Sequence, residues 1–251
     1  MKIAEFLFRR DTRAPMLALM FSSLACAALV GGRIAWTGNV RYTFLLWNLF
    51  LAWLPLFFAL LATEFSRRAG RHDWRFAALA AAWLAFFPNA PYIFTDLIHL
   101  TRDFYRFFWV DLSLLLLCAL TGFLLGFVSL YLMQAVVTRL YGRMLGWFFV
   151  AGVAALVGFG TTLGRFMRFN SWDVLTRPLT LSKSIGAWVA NPASDPSGLS
   201  FAMFFAVFFF VAHVMLYALT QLPRPDQLAP GAKPTSAGKD GKPSAKECGG
   251  P

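Results

Sequence analysis

Apolar residues in this chain neither alternate nor recur on one helical face; they run unbroken. The stretches 15–35, 42–63, 74–87, 108–134, 145–163 and 199–222 are apolar on every side. A helix that is hydrophobic all round must be covered by protein or lipid, and six of them in 251 residues leave too little chain to cover them. About 20 apolar residues in a helix cross a hydrocarbon layer roughly 30 Å thick. The pattern predicts an all-α, polytopic transmembrane bundle of about six spans. Residues 1–13 form a basic N-terminal segment, 14–222 the six-helix domain, and 223–251 a Pro/Gly/Lys-rich tail whose composition is that of disordered chain.

The third stretch stops short. Residues 74–87 at 1.5 Å each cover about two thirds of the hydrocarbon before the string Pro88-Asn89-Ala90-Pro91 interrupts them. The third span is therefore expected to break at PNAP, in the outer third of the bilayer. Asn89 is placed to bond a carbonyl that the prolines leave open. A short interfacial helix is expected around residues 180–189.

Composition agrees with the pattern. The chain is 58% hydrophobic and 14% charged, where a soluble domain averages about a quarter charged. A net charge of +11 would suggest nucleic acid in a soluble protein. Here the basic residues sit in the loops, where they face anionic lipid, and no basic face carries a nucleic-acid reading motif. The expected partner is the lipid bilayer. With six spans and a cytoplasmic N-terminus, 15 of the 23 Lys and Arg fall on the cytoplasmic side; this predicts N-terminus and C-terminus inside. The N-terminal residues Lys2, Arg9, Arg10 and Arg13 followed by an apolar run also resemble a signal peptide. Ser23 stands three before Cys26 where a lipoprotein site has a bulky aliphatic residue, and the apolar run continues, so an uncleaved helix is the reading taken. Cys26, Cys118 and Cys248 have neither metal nor disulfide-framework spacing, and no motif calls for a cofactor. Gly122 with Gly126, and Gly160 with Gly164, are small-xxx-small pairs that predict close packing of the fourth and fifth spans.

Two polar strings emerge on the outer side. In the first, Tyr92, Asp96, His99 and Asp103 follow the break at spacings that share one face of an α-helix, and Asp111 follows. Asp96 and His99, one turn apart, are candidate ligands for one divalent ion. The second string, GRFMRFNSWD, carries Arg165, Arg168, Asn170 and Asp173. Two arginines a turn apart make forks for carboxylate or phosphate; Asp96, Asp111 and Asp173 are the internal partners expected for them. Asn48, two turns into the second span, reaches toward the break. His213 lies deep in the sixth span, where a bond to a neighbouring helix is the plainer reading than a proton carrier.

The combination of LWNLFLAWLPLFFALL, FFPNAPYIFTDLIHL, WVD and GRFMRFNSWDVL resembles the bacterial membrane-protein family of domain of unknown function 1361. Val110 stands before Asp111 where the family has Tyr. The resemblance implies a multi-pass bacterial inner-membrane protein and no particular activity. From the residues, the first reading is an outward-facing pocket of Asn48, Asn89, Tyr92, Asp96, Asp111, Arg165, Arg168, Asn170 and Asp173. It would bind, or in one version transport, a small anionic solute or lipid head-group. The second is a metal-assisted intramembrane hydrolase or transferase on lipid-linked substrates, with Asp96 and His99 as ligands. The third is a scaffold subunit whose charges only lock helices together.

Overall fold

The computed structural model describes residues 10–68, 74–102, 107–169, 173–191 and 194–222. Residues 1–9 of the N-terminal basic segment, the tail, Asp103 and Asn170 lie outside these residues, whereas 10–13 already belong to the first helix. The elements are helical throughout: α1 (Arg10–Thr37), a 3-10 turn (Arg41–Thr43), α2 (Phe44–Arg68), α3 (Trp74–Phe86), α4 (Asn89–Tyr92) and a 3-10 segment (Ile93–Arg102). Then come α5 (Phe108–Tyr141), α6 (Arg143–Arg165), α7 (Asp173–Thr176), α8 (Pro178–Ala190) and α9 (Pro196–Leu219). Among the described residues six spans are long and apolar enough to cross a bilayer, the third of them (Trp74–Leu100) made of α3, α4 and the 3-10 segment together. The chain is a multi-pass membrane bundle, and a helix, α8, forms where one is expected near residue 180.

The hub is α5. In its most apolar window 61% of residues are buried, against 22% in α1 and in α9, because α1, α2, α4 and α6 all pack on it. Its buried Ser129 accepts from the Trp83 indole of α3 at 2.6 Å, satisfying a polar group that the bilayer interior could not. Inward of the break, rings fill the centre: Phe87 and Phe123 both meet Phe209 of α9 edge-on at 5.8 and 5.6 Å. Further along, His213 bonds Gln134 of α5 at 2.9 Å, the helix-to-helix contact expected for it. At that end α5 turns into α6 through Gly142 alone, whose φ of 94° costs a glycine nothing sterically.

The helix α1 is fastened to α5 at two levels. Midway, Ser22 and Cys26 approach Thr121. Near the opposite end, called here the mouth, Arg33 grips both carboxylate oxygens of Asp111 at 2.7 and 3.2 Å, and the Tyr42 hydroxyl donates to the same carboxylate at 3.1 Å.

The glycine pairs serve a different contact from the one expected. A methyl group at Gly122 would stand 2.8 Å from the Ala90 carbonyl oxygen, and one at Gly126 3.1 Å from the Ala90 side chain. From the other side, a methyl at Gly160 would meet Pro88 at 2.9 Å and one at Gly164 the Tyr92 ring at 3.0 Å. Although α5 and α6 do pack together, both pairs face the broken third span. The missing side chains let the broken segment pack directly against both helices.

Candidate functional site

The site begins at the break. α3 ends at Phe86, and Pro88 and Pro91 bring no N–H to continue its ladder. The Asn89 side chain donates to the open Phe86 carbonyl at 2.8 Å, as its position predicts. One turn of helix follows, held by the Tyr92 N–H on the Pro88 carbonyl at 3.0 Å. From Ile93 the chain winds as a 3-10 helix rather than the α-helix that the four- and three-residue spacings suggest. Its three-residue period still sets Asp96 and His99 on one edge.

A cleft of about 420 Å³ lies beside this segment. α2 and α6 stand on opposite sides of the broken span and make little contact with each other. The gap between them is the cleft, with α4 and the 3-10 segment as its back wall. Asn48 of α2 and Arg165 of α6 reach Asp96 from the two sides. Asn48 Nδ2 donates to one carboxylate oxygen at 2.8 Å, and Arg165 Nη1 lies 3.7 Å from the other. His99 Nε2 is 4.0 Å from that second oxygen. Asp96 is only 2% exposed, so its charge rests on these neighbours rather than on water. The Arg165 fork also donates to the Thr95 carbonyl and lies 5.7 Å from the centre of the Tyr92 ring.

Past α6 the chain turns sharply. The Phe169 N–H bonds back to the Leu163 carbonyl at 3.2 Å, and Arg168 takes a φ of 58°. A non-glycine residue in that region costs about 1–2 kcal/mol. The turn sets Arg168 in the wall of the cleft, beside Arg165, and it forms no ion pair with any described residue.

Of the residues read from sequence, Asn48, Asn89, Tyr92, Asp96, Arg165 and Arg168 line this one cleft. Asp111 does not. Its carboxylate is taken by Arg33 and Tyr42, because α5 presents it toward α1 and away from α6. Asp173 is absent from the wall as well. It lies at the start of α7, accepts from Thr176 at 3.1 Å and stands 4.0 Å from Arg177. Arg165 and Arg168 thus form no ion pair with Asp111 or Asp173, whose described arginine partners are Arg33 and Arg177. Among the described residues no three His, Cys, Asp or Glu side chains gather closely enough to hold a metal, and Asp96 with His99 supply two. Sequence reading missed Phe44 and Trp47 of α2, Gly160 of α6 and Leu181 of α8 as cleft residues. Trp47 adjoins Asn48, which is the one signal that pointed to it.

Compared with known protein families, residues 47–215 match the one described as "Protein of unknown function (DUF1361)". The chain belongs to this family. The DUF1361 region takes in every cleft residue from Trp47 onward and Asp111, but not Arg33 or Tyr42, the two side chains that hold Asp111. No curated protein and no solved structure matches the chain.

Proposed function

We propose that the protein binds an oxyanion, of the phosphate or carboxylate kind, at the mouth of the cleft between α2 and α6. The observation that carries this reading is the charge balance of the wall. Arg165 and Arg168 face one carboxylate among the described residues, Asp96, and Arg168 is unpaired by any of them. A guanidinium offers five donors in a planar fork matched to carboxylate and phosphate. The loop charges predict a cytoplasmic N-terminus, which turns the mouth to the periplasmic side of a bacterial inner membrane. The ring-filled interior inward of the break favours binding over passage.

Two alternatives draw on particular contacts. Metal-assisted hydrolysis draws on Asp96 and His99 at 4.0 Å, and lacks a third ligand among the described residues. The scaffold reading fits Asp111, whose carboxylate ties α5 to Arg33 of α1 and to Tyr42 of the 3-10 turn that follows it.

The test is titration of methyl phosphate onto the purified full-length protein in a neutral, phosphate-free detergent. The expected result is saturable binding that Arg168→Gln weakens about 10- to 100-fold, the value of a charge-assisted hydrogen bond, with unliganded thermal stability unchanged. Equal affinity of the variant and the parent overturns the reading.

A further inference from the structure

The cleft is longer than an oxyanion needs. Its mouth carries Asp96, His99, Arg165 and Arg168, whereas its inner end is formed by Leu51, Ala85 and Gly160. Leu51 lies three residues inward of Asn48, the α2 side chain that bonds Asp96, about 4–5 Å, and Gly160 five residues inward of Arg165 along α6, about 7–8 Å. A polar rim therefore leads into an apolar floor about 5–8 Å deeper. The flank of the cleft is also apolar and open. Trp47 lines it while remaining 53% exposed, and Phe50, one turn further in on α2, is 53% exposed too. In a bundle whose outer surface meets hydrocarbon, that flank opens into the leaflet. Above the mouth, Leu181 of α8 completes the wall, which adds an apolar contact beside the charged rim.

A small dissolved anion makes no use of the floor or of the flank. Resting on the oxyanion reading above, we infer that the occupant is an anionic amphiphile of the surrounding leaflet. Its phosphate meets Arg165 and Arg168, and the first part of its chain passes Trp47 and lies on Leu51, Ala85 and Gly160. The 420 Å³ of the cleft falls within the usual range for small-molecule sites. It houses a head-group and several methylenes, with the remainder of the chain left in lipid. The gap between α2 and α6 is the entry: because these helices barely touch, a chain slides in sideways without parting a packed interface.

The experiment compares methyl phosphate, octyl phosphate below its micellar concentration, and octyl glucoside. Each is titrated onto full-length protein in the same neutral detergent. Each methylene moved from water onto an apolar floor is worth about a fourfold gain in affinity. Octyl phosphate is therefore expected to bind at least tenfold more tightly than methyl phosphate after loss of part of that gain to the detergent. Ala85→Phe, which fills the floor, should abolish the advantage and leave methyl phosphate within twofold. Trp47→Ser, which opens the flank at an exposed position, should reduce the advantage in a protein whose fold is undisturbed. Equal binding of the two phosphates by the parent overturns the amphiphile and keeps the oxyanion, now as a free solute. An advantage that survives both substitutions places the chain outside the cleft and also overturns it. Binding of neither phosphate, or equal competition by octyl glucoside, removes the oxyanion reading itself.

Discussion

Replacing Asp96 with Asn tests the charge balance of the cleft in the direction least expected of a buried carboxylate. The side chain keeps its shape, and its remaining carbonyl oxygen can still accept from Asn48, now 2.8 Å away. The new amide then faces Arg165 at the 3.7 Å of the present ion pair, too long to be a broken hydrogen bond. What disappears is one negative charge. An oxyanion on the far side of the Arg165 fork would stand about 7 Å from Asp96. At an effective dielectric of about 20 their repulsion is about 2.4 kcal/mol, and at twice that value about 1.2. Removing it should tighten methyl phosphate binding about 8- to 50-fold. The assay is calorimetric titration of parent and variant at one ionic strength, since screening weakens the effect. Weaker or unchanged binding by a variant of undiminished thermal stability would refute the reasoning. It would make Asp96 part of what the ligand touches, as a metal-ligand or base role requires.

Other consequences are checked by unfolding in mixed micelles. Gly122→Ala drives a methyl group to 2.8 Å from a backbone carbonyl that cannot move aside, and should cost about 1–3 kcal/mol as an overpacked site does. The same change at Gly152, where nothing lies within 4 Å, should be neutral or stabilising by up to about 1 kcal/mol; equal effects at the two positions would contradict the packing described for the break. Asp111→Asn leaves Arg33 without its partner and should destabilise by about 2–3 kcal/mol, the buried-pair value reduced for its place near the mouth, while methyl phosphate affinity stays as it was. Asn89→Ala reopens the Phe86 carbonyl and should cost about 1–2 kcal/mol; a variant as stable as the parent would show that the carbonyl finds another donor.

The spans were legible because they depend on local composition: run length against bilayer thickness places each of the six helices, though not every end, and the fourth continues to Tyr141 rather than stopping at the expected 134. The break and its cap were legible for the same reason, since Pro88, Pro91 and Asn89 act on backbone groups three or four residues away. Helical pitch after the break was not. The sequence 93–102 has the spacings of an α-helix, yet the segment winds as a 3-10 helix packed along α5, a tertiary contact that no local pattern reports. Asp111 shows the larger gap. Its partner Arg33 reads in sequence as one more loop-side charge, and only the docking of α1 on α5 turns it into a clamp. Likewise Gly122 and Gly160 announce that something comes close, without saying what. For the cleft, polar residues were recognisable by their rarity in apolar surroundings, whereas Trp47, Leu51 and Leu181 were camouflaged by being apolar among apolar neighbours.

The clamp between Arg33 and Asp111 has a consequence for how the molecule is made. The two residues are 78 positions apart, so at ordinary synthesis rates of about 5–20 residues per second Asp111 leaves the ribosome about 4–16 s after Arg33. Until then the Arg33 guanidinium has no Asp111 to grip, and the first helix has only its contacts with α2, such as the Trp53 indole on Ser23 at 3.1 Å, so its docking is completed in two stages of which the clamp is the later.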